Sequence, residues 1–299
     1  TTCIFLTISR SFLSFFTNRP RPQHYAEIPF LPIDFFKTQR IYASDLPEKT
    51  LFLSSGTTGS IRSHHFIAST DLYKKSFLKC YAQQLGDIEN QVVLALLPNY
   101  IDQGNSSLVP MVDELIRQTN NPLSGFLLNE LDQIQLRYEA ALASGKQVVI
   151  FGVSYALLDL AEQNINLSKA LIVETGGMKG RRKEMTKEEL HATLKQGLNV
   201  QHISSEYGMT ELLSQGYSTK DTLFATPNWM KILIRDINDP FSFQPNGKTG
   251  GINVIDLANL YSCAFIATQD LGKMYDDERF EILGRFDHSD IRGCNLLVQ

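Results

Sequence analysis

Between residues 92 and 173 the apolar residues fall into short unbroken runs separated by longer mixed stretches. Val92-Val93-Leu94-Ala95-Leu96-Leu97, stopped by Pro98, shows no alternation of apolar and polar positions. Neither do Val148-Val149-Ile150-Phe151 and Ala170-Leu171-Ile172-Val173. Such runs predict strands covered on both faces. The stretches between them predict helices over Met111–Arg117, Leu131–Ala143 and Tyr155–Gln163. Strands alternating with helices predict a largely parallel sheet. Upstream, Leu51–Leu53 and His65–Ala68 predict two strands. Leu72, Phe77, Leu78 and Tyr81 place an amphipathic helix over 71–85. Thr186-Lys187-Glu188-Glu189 has the spacing of a capping box and opens another helix.

After about residue 220 the pattern changes. Residues 231–237, 251–256, 262–267 and 279–283 predict short strands joined by Gly and Asp turns. The chain therefore reads as a lead-in over 1–49, an α/β core over 50–220 and a β-rich subdomain over 221–299. Within the lead-in, Pro20, Pro22, Pro29 and Pro32 make residues 19–32 extended, not helical. The apolar residues before Phe16 are broken by Arg10 and lack the layout of a signal peptide. No run approaches the ~18 apolar residues of a membrane span.

Composition narrows the picture. With 299 residues, 43% of them hydrophobic, the chain can bury a large core. A net charge of -4 argues against a nucleic-acid or anionic-membrane surface. Cys3, Cys80, Cys263 and Cys294 have neither zinc spacing nor a disulfide framework. Free thiols point to a reducing, cytoplasmic compartment.

Four segments carry candidate chemistry. Ser54-Ser55-Gly56-Thr57-Thr58-Gly59-Ser60 lies between two strands. Its small residues let backbone N–H groups approach an anion, and its hydroxyls can donate to phosphate. It lacks the Walker A spacing, and a plain polar turn is the alternative. Glu174-Thr175-Gly176-Gly177-Met178-Lys179-Gly180-Arg181-Arg182-Lys183 follows a buried strand, where parallel sheets bind ligands. Its glycines admit a flat base, unless the run is only a solvated basic turn. Ser205-Glu206-Tyr207-Gly208-Met209-Thr210-Glu211 follows the expected strand Val200–Ile203. It offers a ring to stack on a base, a hydroxyl for phosphate and a carboxylate for a divalent cation. Asp270, expected at a strand end, suits ribose hydroxyls, and Gly284-Arg285-Phe286-Asp287 adds an arginine and an acid. Surface turns are the alternative for both.

In this order the segments resemble the adenylate-forming superfamily of acyl-CoA synthetases, luciferases and peptide-synthetase adenylation domains. Ser-Ser-Gly-Thr-Thr-Gly is similar to its phosphate loop, Gly176-Gly177 to its adenine-side turn and Tyr207 to Glu211 to its Tyr-Gly-x-Thr-Glu motif. Asp270 matches its ribose-binding Asp, and Gly284 to Asp287 its hinge motif. The runs Glu174 to Met185 and Asp290 to Cys294 resemble the LuxE-type acyl-protein synthetases. That resemblance implies an enzyme binding ATP and Mg²⁺, with Glu211 orienting the metal and Thr210 beside it. A fatty acid would become an acyl-adenylate, pass to Cys294 and then to a reductase partner. In this place a cysteine can replace the coenzyme A thiol, and Arg292 would favour its thiolate.

The superfamily's small C-terminal domain, with its lysine, has no counterpart in these residues. Another cation must serve, and Lys179, Arg181 and Lys273 are the candidates. Leu97 to Tyr100 with Ser106 and Ser107, and Phe151 to Leu158, are candidates for the acid pocket. Two rival readings are a coenzyme A ligase completed by a domain from elsewhere and a non-catalytic nucleotide-binding partner of a reductase.

Overall fold

The computed structural model describes residues 22–55, 61–97, 105–176, 182–183 and 185–286. Its larger sheet has six strands: β4 (Gln91–Leu96), β5 (Gly125–Phe126), β6 (Gln147–Val153), β7 (Leu171–Thr175), β8 (Ser204–Tyr207) and β9 (Gly216–Ser218). Their order is β5-β4-β6-β7-β8-β9. Every neighbouring pair is parallel except β8 with β9. The unbroken apolar runs are its centre: every residue of β4 is buried, and so is β6 from Val148 onward.

Helices intervene where the periodicity places them. After a short α1 (Phe35–Thr38) come α2 (Thr70–Leu85), α3 (Leu108–Thr119), α4 (Gln133–Ala143), α5 (Ser154–Ala161) and α6 (Lys187–Leu198). The α6 capping box forms in full, Thr186 and Glu189 each serving the other's backbone N–H. Gly197 lets α6 close onto α5, because a Cβ there would lie 2.4 Å from the Ala161 carbonyl oxygen.

A second sheet comprises β1 (Leu31–Pro32), β10 (Met230–Arg235), β11 (Thr249–Asp256), β12 (Phe265–Met274) and β13 (Phe280–Arg285). It is antiparallel except where β1 runs parallel to β12. The lead-in is thus not merely extended. It contains a 3-10 turn, Tyr25–Glu27, and supplies β1 through the pairing of Leu31 with Ile266. Between the two sheets sits the hairpin of β2 (Thr50–Leu53) and β3 (His64–Ile67).

Two expectations shift. The strand expected at Val200–Ile203 lies at Ser204–Tyr207. Its polar residues escape an apolar-run criterion because their hydroxyls and carboxylates bond one another across neighbouring strands. The strand expected at 262–267 runs from Phe265 to Met274. Asp270 therefore stands within a strand and not at its end.

The segment from Tyr207 to Tyr217 is the seam of the molecule. Leu213 and Tyr217 belong to the core around the larger sheet. Tyr207 and Leu212 belong to the core around the second sheet, with Phe36, Ile252 and Phe280.

Candidate active site

The seam loop is clamped from three directions. His65, fully buried on β3, places Nδ1 2.7 Å from the Thr210 carbonyl oxygen. Burial lowers the His65 pKa to about 4, against the backbone bond to Thr210, so the ring is neutral near pH 7. A carbonyl only accepts, so Nδ1 carries the proton. From the second sheet, Asp256 accepts the N–H groups of Leu213 (2.8 Å) and Ser214 (3.0 Å) and the Ser214 hydroxyl (2.6 Å). Asn259 donates to the Glu211 carbonyl at 2.7 Å. These bonds hold Thr210 and Glu211 at the mouth of a cavity of about 700 Å³ between the sheets.

Most of the described candidate residues meet there. Ser54 and Ser55 border the cavity from the end of β2, and Gly176 from the end of β7. Tyr207, Gly208, Thr210 and Glu211 enter from the seam, Asp270 from β12 and Arg285 from β13. Gly56, Thr57, Thr58, Gly177 and Cys294 lie outside the described residues, as do Cys3, Lys179 and Arg181. Gly176 has a positive φ of 68°, a turn that glycine adopts without strain. Gly208 leaves room for a neighbour: a Cβ would stand 2.2 Å from Glu206 Oε1.

Asp270 faces Arg285 across the β12–β13 ladder, with Arg285 Nε 3.3 Å from one oxygen. The Tyr207 hydroxyl donates to the other at 2.8 Å. Burial raises the pKa of Asp270, opposed by that bond and by the charges of Arg285 and Arg235. The Tyr207 ring meets Phe280 and Phe224 edge-on, with centroids 5.5 and 6.1 Å away. The aromatic position that the motif offers a base is therefore set by its neighbours before any ligand arrives.

Glu211 is the cavity's metal candidate. It is buried, and burial raises its pKa against a bond from Ser63 and the charges of Arg285 and Lys37. No group of three or more His, Cys, Asp or Glu suited to a metal ion occurs among the described residues. A lone carboxylate suits Mg²⁺, which keeps water and phosphate oxygens in its shell.

Two cations that the sequence reading passed over border the cavity, Lys37 and Lys187; Lys273 does not. Lys187 lies 2.8 Å from Glu174 and 4.8 Å over the Phe224 ring. Its place as the first residue of a capped helix that follows a ligand-facing strand was the available signal. Burial opposes the charge of Glu174, but bonds from His191, Lys187 and Ser205 and the Lys187 charge hold its pKa down to about 2.

Glu206, one strand over, behaves oppositely. Burial pushes its pKa up to about 7, helped by the Glu174 charge and opposed by the Thr175 bond and Lys187. It lines both the large cavity and a smaller one of about 140 Å³. The smaller cavity shares Ser55, Gly176, Gly208 and Thr210 with the larger and reaches Ser106 and Ser107. From the stretch Phe151 to Leu158, only Ser154 reaches the large cavity. The others are core, apart from Leu158 at the edge of a separate groove. That groove, about 860 Å³ between α5 and α6, touches none of the residues singled out for catalysis or cofactor binding. Its Arg182 is paired with Asp159 and Glu162. Cys80 and Cys263 are buried, which raises their pKa values to about 12 and about 11 and makes them poor nucleophiles.

Comparison with known proteins agrees with this geometry. Solved structures share the fold. ATP-bound MatB from Rhodopseudomonas palustris superposes with a TM-score of 0.58 at 17% identity, over 79% of this chain and 47% of that one. The amide bond synthetase McbA from Marinactinospora thermotolerans gives 0.55 at 18%, over 79% and 48%. The O-succinylbenzoate coenzyme A synthetase MenE from Bacillus subtilis, in complex with AMP, gives 0.53 at 19%, over 82% and 50%. The fold is thus that of the adenylate-forming ligases, and this chain spans about half the length of those proteins. No curated protein matches the sequence. The family model for the acyl-protein synthetase LuxE matches residues 118–299, more than half of the sequence, and the chain belongs to that family.

Proposed function

We propose that this chain activates a carboxylic acid with ATP and Mg²⁺ and then transfers the acyl group to a thiol. The supporting observation is the convergence of Ser54, Ser55, Gly176, Thr210, Glu211 and Asp270 from four separate elements on one cavity. In the first step a carboxylate oxygen attacks the α-phosphorus of ATP, and pyrophosphate leaves with the bridging electron pair. The triphosphate lies along Ser54 to Thr58, Thr210 binds a phosphate oxygen, and Glu211 orients Mg²⁺. The adenine lies beside Gly176, Gly177, Tyr207 and Gly208. The ribose hydroxyls bind Asp270, with Arg285 offsetting its charge.

In the second step the Cys294 thiolate attacks the acyl carbon, and AMP leaves. The acyl group then moves to a partner protein. The LuxE likeness implies a fatty acid and a reductase as partner, in the cytoplasm. Among the described residues, no helix is long and apolar enough to cross a membrane.

A coenzyme A ligase is the second reading, favoured by the likeness of fold to a coenzyme A synthetase over half of its length. Labelled acid and ATP–pyrophosphate exchange separate the two. Cys294→Ala should keep acid-dependent exchange and lose the hydroxylamine-labile acyl label on the protein. Persistent labelling of that variant, or acyl groups on Cys80 or Cys263, would rule out Cys294 as acceptor. Transfer to coenzyme A that ignores the substitution would favour the second reading.

A further inference from the structure

Three cations border the large cavity among the described residues: Lys37, Lys187 and Arg285. Two of them are committed. Lys187 lies 2.8 Å from the buried Glu174, and a buried carboxylate stripped of its ion partner is strongly destabilising. Arg285 reaches Asp270 at 3.3 Å from the neighbouring strand. Arg62 borders only the smaller cavity, where its Nε donates to the Ser54 carbonyl. Lys37 differs. Its ion partner is Asp34 at 2.7 Å, and the two side chains are 36% and 45% exposed. Such a pair contributes little, because water screens both charges. Asp34 also accepts from Gln269 Nε2, at 2.6 Å, on its other oxygen. The lysine can therefore turn to a stronger anion without leaving a carboxylate unpaired. Lys37 lines the cavity, whereas Asp34 does not.

The backbone that carries Lys37 is fixed. β1 pairs with β12 through Leu31 with Ile266 and Pro32 with Ala267, and the Ile33 N–H extends the ladder to the Ala267 carbonyl at 3.0 Å. Phe36, fully buried on α1, meets the His65 ring edge-on with centroids 5.5 Å apart. That ring also holds the Thr210 carbonyl. Lys37 is thus built against both elements that carry Asp270 and Glu211. On one side stands Gln269, next to Asp270 in β12. On the other stands Glu211, which the Lys37 charge reaches. With the ribose at Asp270 and the metal at Glu211, as proposed above, the phosphate between them is the one nearest the ribose, the α-phosphate.

We propose that Lys37 is a catalytic residue whose ammonium pairs with the α-phosphate of ATP. This rests on the reading of the site given under the proposed function. The carboxylate oxygen bonds to the α-phosphorus, the bond to the bridging oxygen breaks, and its electron pair leaves with pyrophosphate. Negative charge builds on the α-phosphate oxygens as this happens, and a cation already in place favours that transition state. Lys37 keeps its proton throughout.

Lys37→Met removes the charge and keeps the stem. Equilibrium dialysis with ATP, AMP and adenosine gives a readout apart from turnover. The variant should bind ATP and AMP about tenfold more weakly and adenosine as before. Its kcat for acid-dependent ATP–pyrophosphate exchange should fall about 100-fold. Lys37→Arg should regain most of both. Asp34→Asn, which removes only the exposed ion partner, should keep ATP binding within about threefold. Unchanged AMP binding in Lys37→Met, or an equal loss for adenosine, overturns the inference. So does an Asp34→Asn variant that binds ATP as weakly as Lys37→Met. In each case exchange by the unaltered chain leaves acid activation standing. No exchange by the unaltered chain with any straight-chain acid from butanoate to hexadecanoate overturns acid activation, and the catalytic role of Lys37 with it.

Discussion

Glu174 on β7 and Glu206 on β8 stand on adjacent parallel strands and face opposite sides of the same sheet. Glu174 is buried and Glu206 half-buried at the cavity wall, and their environments push them apart. Toward α6, Glu174 receives Lys187 at 2.8 Å, the Ser205 hydroxyl at 2.7 Å and the Ser154 hydroxyl at 3.2 Å. That face is complete before any ligand binds, and its carboxylate stays ionised. Toward α3, Glu206 receives one hydroxyl and lies among orphaned polar atoms. One face is built for support and the other is left open. Buried charge is stable only when its hydrogen bonds are supplied. A carboxyl without them keeps its proton or waits for a donor.

The largest effect on this contrast should come from Lys187→Met, which strips Glu174 of its ion partner. Unfolding in urea should show a loss of about 3 kcal/mol at pH 7. A loss below ~1 kcal/mol would mean that His191 and the serines suffice alone. Because the Glu174 pKa is depressed, its contribution is present above about 4.5 and fades as pH falls toward about 2. In the variant that acid-side loss should begin at higher pH.

Glu206→Gln should act in the opposite direction. The native protein keeps a proton on Glu206 that the unfolded chain releases, so stability falls as pH rises from about 4.5 to about 7. The glutamine variant should lack that slope and gain about 2 kcal/mol at pH 8. An unchanged slope would assign it to another group. The smallest effect should follow Tyr207→Phe, which removes the bond to Asp270 and keeps the ring among Phe224 and Phe280. Thermal unfolding should register a loss of about 1 kcal/mol. A larger loss would place Tyr207 with the supporting network and not with the ligand.

Local pattern foretold much of this. The unbroken apolar runs marked β4, β6 and β7, because strands covered on both faces have no polar side to show. The capping box at Thr186 formed as its spacing requires. The motif segments that met at the cavity were visible one by one, through small residues, hydroxyls and acids in a recurring order. What stayed hidden was polar and non-local. Ser204 to Tyr207 has no apolar period, and its strand exists through partners on β7 and β9. Lys187 looked like an ordinary helix residue until β7 brought Glu174 beside it. His65, Asp256 and Asn259 hold the seam loop from 42 to 145 residues away in their various contacts.

The α/β alternation, the β-rich final part and the chemical types available to a nucleotide were all legible along the chain. These follow from periodicity and side-chain chemistry, which are local. Which carboxylate is satisfied and which is not came from packing. The strand pleat sends Ser205 to one face and Glu206 to the other, and the elements packed on each face differ. Charge state therefore depends on which neighbours the fold delivers, and no local pattern specifies those.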